Sequence, residues 1–134
     1  YKIWNSEVRN PFLEGYALHY RYRLDLPLLH RAAQAYVGRH DFTSFCTQDK
    51  REPGDLSRTV KRFSVTGDGE MVTMCVEADG FLYNMVRIMT GTLLRIAQGK
   101  IPPDGIAAII EKKDRQFAGP TAPACGLYLN RVFY

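Results

Sequence analysis

The sequence predicts an α+β domain: an antiparallel or mixed sheet with helices on one face, in the order of a split β-α-β-β-α-β unit. Three observations carry this. Two strand-like runs, Val60 to Val65 and Met71 to Ala78, flank Gly67-Asp68-Gly69 and read as a hairpin. Stretches with apolar residues at helical spacing lie on both sides of that hairpin. Short strand-like segments open and close the chain.

Taken in order, Tyr1 to Trp4 reads as the end of a strand, and Tyr16 to Arg23 alternates partly, as an extended segment does. Asp25 is a helix N-cap with Pro27 tolerated in the first turn. Leu29, Ala32, Ala33, Tyr36 and Val37 then follow helical spacing, and Gly38 is the stop. Lys50 to Ser57 is a loop. In the second hairpin strand Val72, Met74, Val76 and Ala78 share a face, and Cys75 in the same run reads as a small core residue. Asp79-Gly80 opens a long helix whose stripe is Leu82, Met85, Val86, Met89, Leu93, Ile96 and Ala97, with Gly99 as its stop. Pro102-Pro103-Asp104 starts another helix, with Ile106, Ile109 and Ile110 toward the core. Phe117 to Gly126 is a loop of small residues, and Leu127 to Tyr134 closes as a strand.

The 134 residues suffice for a single domain, 1–134, with its own core. Hydrophobic residues make up 46% and charged residues 24%, and no apolar run approaches the roughly 20 residues of a membrane span. Tyr1-Lys2-Ile3-Trp4-Asn5 resembles a strand and not a leader, so the chain reads as cytoplasmic and as beginning within a longer protein. Net charge is +4, from 18 Lys and Arg against 14 Asp and Glu. Arg21, Arg23, Arg39, Lys50, Arg51, Arg58, Lys61 and Arg62 concentrate in the first half. Such a bias suits a polyanion such as nucleic acid, and equally a solvated basic surface. Cys46, Cys75 and Cys125 are odd in number and far apart, without a C-x-x-C pair, which indicates neither a zinc site nor a disulfide framework. There is no phosphate-binding glycine loop, G-x-S-x-G or H-E-x-x-H, so no cofactor and no metal is implied.

Arg87 is the first candidate for chemistry. At about 100° per residue it lies about 140° from Leu82, on the side of Asn84, Gly91, Leu94 and Gln98. Gly91 leaves room for another backbone to approach, and Leu94 argues that this side is covered. A covered guanidinium needs a carboxylate partner. His40-Asp41-Phe42 follows the first helix. An acid–base reading competes with a structural one, in which Asp41 caps a turn and Phe42 and Phe45 anchor the segment, since adjacent strand residues face opposite ways. Tyr20, Tyr22 and Tyr83 could stack on bases or simply cover surface.

Several blocks together resemble the C-terminal part of the tRNA pseudouridine synthase A family. They are Tyr1-Lys2-Ile3-Trp4-Asn5 with Pro11-Phe12; Gly38-Arg39-His40-Asp41-Phe42-Thr43-Ser44-Phe45; Asp79-Gly80-Phe81-Leu82-Tyr83-Asn84-Met85-Val86-Arg87 with Gly91-Thr92-Leu93; Lys113-Asp114-Arg115; Ala118-Gly119-Pro120-Thr121-Ala122-Pro123-Ala124; and Gly126-Leu127-Tyr128-Leu129. The resemblance implies isomerisation of uridine to pseudouridine in the tRNA anticodon stem-loop, on a flipped base, without cofactor or metal, by a homodimer. It makes Arg87 the partner of the catalytic aspartate and Leu127 an apolar wall of the uracil pocket; beside them Tyr83, His40, Asp41 and Phe42 are read as substrate-binding candidates. The family's active-site tyrosine lies two residues upstream of the position of Tyr1, which does not inherit its role. The catalytic aspartate belongs to a G-R-T-D-A-G motif that this sequence lacks, and none of Asp25, Asp41, Asp49, Asp55, Asp68, Asp79, Asp104 or Asp114 has that context. The expectation is the C-terminal part of a two-domain enzyme, inactive alone. The rival reading is a non-catalytic RNA-binding module.

Overall fold

The computed structural model describes residues 1–47 and 54–131. Five strands form one mixed sheet: β1 (Lys2–Asn5), β2 (Leu18–Tyr20), β3 (Gly38–Asp41), β4 (Ser57–Asp68) and β5 (Met71–Ala78), in the order β2-β1-β5-β4-β3. Three helices, α1 (Leu26–Ala33), α2 (Met85–Ala97) and α3 (Ile106–Lys112), complete the α+β architecture.

The β4–β5 hairpin forms the centre of the sheet. Its register pairs Asp68 with Met71 and Gly67 with Val72, so the strands run further than the apolar run alone foretells. The turn is Gly69-Glu70, with Gly69 at φ 59°, a conformation for which glycine pays no Cβ penalty. Val60, Phe63 and Val65 on β4 and Val72 and Met74 on β5 are buried toward the helices. Cys75, expected in the core, is exposed instead. Strand alternation decides this: with Val72 and Met74 inward, Thr73 and Cys75 must point to the opposite face. β1 pairs antiparallel with β5 and parallel with β2, so the partly alternating segment becomes a short parallel edge strand.

α1 starts as its sequence dictates. The Asp25 carboxylate accepts from the Leu28 amide at 3.2 Å, and Pro27 sits in the first turn. The helix gives way to a 3-10 turn, Gln34–Tyr36, and Gly38 (φ 114°) serves as the first residue of β3 and not as the helix stop. Leu29, Ala32, Ala33 and Tyr36 are buried as the spacing predicts. Tyr36 stacks on Phe63 at 5.2 Å between ring centroids and donates its hydroxyl hydrogen to the Met89 carbonyl oxygen at 3.1 Å.

α2 starts at Met85, later than the Asp79-Gly80 opening expected from sequence, because Asn84 takes a left-handed conformation at φ 61°. Gly99 (φ 74°) follows its end as predicted. α3 buries Ile106, Ile109 and Ile110. Ser44, fully buried, ties α3 down: its hydroxyl donates to the Ile109 carbonyl oxygen at 2.7 Å and accepts from the Asp114 amide at 2.9 Å.

The closing strand expected over Leu127 to Tyr134 is not formed at residues 127–131. Two 3-10 turns, Arg115–Phe117 and Ala124–Gly126, and the irregular stretch between them carry the chain across α2 instead. Residues 132–134 and the first half of the Lys50 to Ser57 loop, residues 50–53, lie outside the described residues. No helix among the described residues is long and apolar enough to cross a membrane.

Candidate active site

The site is built where residues 118–126, here called the strap, cross α2 and reach β1. Two glycines permit the crossing. A Cβ on Gly91 would meet the Pro120 carbonyl oxygen at 1.7 Å, and a Cβ on Gly119 would meet the Gly91 oxygen and the Thr92 backbone at 2.7 Å. The Thr92 hydroxyl, donating to Ile88 O at 2.8 Å, accepts the Gly119 amide at 2.9 Å. At the far end the Tyr1 hydroxyl donates to the Pro123 carbonyl oxygen, and Gly126 packs against the Tyr1 ring. Burial, and then the neighbouring Cys125, push the Tyr1 phenol pKa up, with Arg87 opposing them, so this hydroxyl stays a donor.

Arg87 sits under the strap. Its Nε donates to Ala122 O at 2.7 Å, its Nη1 donates to Asn84 Oδ1 at 3.0 Å, and the Ala122 amide donates back to Arg87 O at 3.0 Å. Asn84 is fixed in turn, its Nδ2 donating to Thr47 Oγ1 at 3.1 Å, while the Thr47 amide donates to Tyr83 O at 3.1 Å. The covered side of α2 expected from Gly91 and Leu94 is therefore real: Leu94 is 8% exposed. The cover is the strap, and Arg87 meets neutral oxygens there; no ion pair to it is formed among the described residues. Its Nη2 hydrogens have no acceptor among these residues.

The remaining predicted residues divide. Tyr83, 67% exposed, and Leu127, 40% exposed, are accessible, Tyr83 in the loop before Asn84 and Leu127 just past the glycine that packs on Tyr1. His40 and Asp41 lie on β3, the sheet edge remote from β1, and no hydrogen bond or ion pair joins them to Arg87. His40 Nε2 is 3.1 Å from Val37 O, and Asp41 accepts from the Thr43 amide at 3.0 Å, which is the turn-capping reading. Phe42 is fully buried between His40 and Phe45, an anchor without surface to offer a substrate. Cys46 is buried, and burial above all pushes its thiol pKa up, the opposite of what a nucleophile needs. Sequence reasoning placed Asn84 on the same side of the helix as Arg87 without making it a hydrogen-bond partner, and missed Tyr1 and Ala122 as neighbours. Ala122 acts through its backbone and leaves no side-chain signal. Asn84 had one, the tolerance of asparagine for positive φ.

Among the described residues no group of three or more His, Cys, Asp or Glu could hold a metal ion. A five-stranded mixed sheet with three helices, its chain crossing α2 over a half-buried arginine, is consistent with a pseudouridine synthase-like fold. The chain belongs to the tRNA pseudouridine synthase family, whose model matches residues 32–134. It is 44% identical over 134 residues to tRNA pseudouridine synthase A of Geobacillus sp. (strain WCH70), covering all of this chain and 54% of that protein. The enzymes of the same name from Geobacillus kaustophilus and Bacillus subtilis are 46% and 43% identical over the whole chain, which covers 52% and 54% of them. The chain thus spans about half the length of the curated relatives it matches.

Proposed function

We propose that this chain is the C-terminal part of a two-domain tRNA pseudouridine synthase, and that it supplies Arg87 as the partner of a catalytic aspartate carried elsewhere in the protein. One observation carries the reading: a guanidinium clamped by Ala122 O and Asn84 Oδ1 with its Nη2 hydrogens unused among the described residues. Such a fork is preorganised for a carboxylate, costs little further ordering when one arrives, and holds it ionised. Leu127 supplies an apolar wall and Tyr83 an aromatic face for the flipped uridine of an anticodon stem-loop. His40, Asp41 and Phe42 support the substrate side through the Thr43–Thr47 segment, which is bonded to Asn84 and Tyr83. Isomerisation breaks the glycosidic bond, turns the uracil and rejoins C5 to the ribose, using neither cofactor nor metal. A homodimeric cytoplasmic enzyme belongs to the same reading.

The test is pseudouridine formation on tRNA, quantified by nucleoside chromatography. The 134-residue chain alone gives none, and a protein that joins it to a segment carrying G-R-T-D-A-G gives turnover that Arg87→Ala abolishes while tRNA affinity stays within about threefold. Turnover by the chain alone overturns the division of the site. A joined protein that binds tRNA but never isomerises it favours the RNA-binding module.

A further inference from the structure

Beyond the strap a second feature is built. A cleft of about 390 Å³ is lined by Arg95, Lys100, Arg115, Phe117, Gly119 and Pro120 among others, and no carboxylate lines it. Its cations come from separate elements. Arg95 is in the last turn of α2, Lys100 follows that helix, and Arg115 opens the 3-10 turn after α3. Their partners are neutral: Arg95 Nη1 donates to Gln98 Oε1 and Arg115 Nη2 to Thr121 Oγ1, both at 3.3 Å. Among the described residues none of the three forms an ion pair.

The C-terminus of α2 carries about half a negative charge, enough to favour one of these cations and not three. Converging like charges repel, and an entering anion relieves that cost. The half-buried Arg95 and Arg115 present planar donors suited to phosphate oxygens. At the lip stands Phe117, 46% exposed, with Lys112 Nζ 5.3 Å from its ring centroid. A flat exposed ring beside a phosphate-sized cationic cleft fits one nucleotide unit. Gly119 and Pro120 form part of the wall, so the cleft and the Arg87 clamp share the strap, with Arg95 about 12 Å along α2 from Arg87.

The geometry points to a phosphate subsite at Arg95, Lys100 and Arg115 that takes one backbone phosphate of a single-stranded RNA segment, its adjoining base against Phe117. The source of that phosphate rests on the RNA-acting reading above; inorganic phosphate or a mononucleotide offers the same chemistry.

Two measurements on the 134-residue chain test the subsite. The first is binding of a labelled uridine-containing RNA stem-loop between 50 and 200 mM salt, with folding of each variant checked by circular dichroism. Arg95→Gln with Lys100→Gln weakens binding about tenfold and makes the plot of log affinity against log salt shallower by about one. Arg9→Gln with Arg31→Gln removes the same charge from exposed positions elsewhere and leaves that slope in place. Phe117→Ala weakens binding at least fivefold without changing the slope. The second is the arginine Nε resonances of Arg95 and Arg115, followed on adding inorganic phosphate or uridine monophosphate. RNA binding with slope and affinity equal in the two double variants overturns the subsite and leaves the RNA reading standing. Absence of RNA binding, with both arginine resonances shifting on inorganic phosphate, overturns the RNA source and leaves a free-anion site. Absence of both overturns the proposal entirely.

Discussion

Arg87 and Ala122 hold each other from both sides: the guanidinium Nε donates to Ala122 O at 2.7 Å and the Ala122 amide donates to Arg87 O at 3.0 Å. The strap is therefore both lid and orienting device, since the carbonyl that fixes the side chain sits on the residue whose amide binds the arginine's own backbone. This depends on the close crossing at Gly91.

Gly91→Ala places a Cβ 1.7 Å from Pro120 O, a backbone atom that cannot turn aside. The strap must lift, at a cost of about 1–3 kcal/mol for an overpacked contact. Urea unfolding measures it. In the joined enzyme the same variant loses turnover out of proportion to its stability, because the Nε partner moves with the strap.

Arg87→Lys keeps the charge but not the fork. One ammonium cannot serve Ala122 O, Asn84 Oδ1 and a carboxylate in the same planar arrangement. In the joined enzyme kcat falls at least about 100-fold, the scale of one lost preorganised donor, with tRNA affinity little changed. Single-turnover kinetics with saturating enzyme separates the two effects.

Asn84 carries both a backbone and a side-chain duty. Asn84→Gly keeps the φ of 61° at ease but loses the bonds to Arg87 and Thr47. Asn84→Ala loses those bonds and also bears the left-handed strain, so it is less stable than the glycine variant by about 1 kcal/mol. Thermal unfolding of the pair isolates the backbone part.

Two phenols make stability sensitive to alkali. Burial raises the pKa of Tyr36 and of Tyr1 above the ordinary 10.0, with Cys125 adding to the rise at Tyr1. The native state holds these protons more tightly than the unfolded chain does. Their contribution is complete below about pH 9 and is lost as pH rises past 10, where only the unfolded chain releases them. Chemical denaturation between pH 8 and 11 shows the fall. Tyr36→Phe makes it less steep and costs about 1 kcal/mol at neutral pH for the lost bond to Met89 O.

The sequence announced whatever rests on periodicity or a cap. Asp25, the apolar face of α1, the hairpin, Gly99 and the three isoleucines of α3 stand where their spacing put them. What it could not announce rests on backbone atoms meeting across the fold. The late start of α2 follows from a single φ at Asn84, and the strap replaces an expected strand because Gly91 and Gly119 let two backbones touch. Arg87 could be found from its place on the helix, and Asn84 lay on the same side, but the partner on the strap could not be found, since it is the carbonyl of an alanine. Cys75 shows the reverse failure: an apolar-looking strand has two faces, and the residue fell on the outer one.

The strap also makes the orientation of Arg87 a property of the tertiary fold. The hairpin closes locally, whereas the Thr92–Gly119 bond spans 27 residues, the Arg87–Ala122 bond 35 and the Tyr1–Pro123 bond 122. Closing contacts so distant along the chain costs loop entropy, which is offset by the packing of what they dock on. During synthesis the arginine is made 35 residues ahead of the alanine that aims it. The helix alone therefore does not orient Arg87: its Nε partner is supplied only where the strap docks.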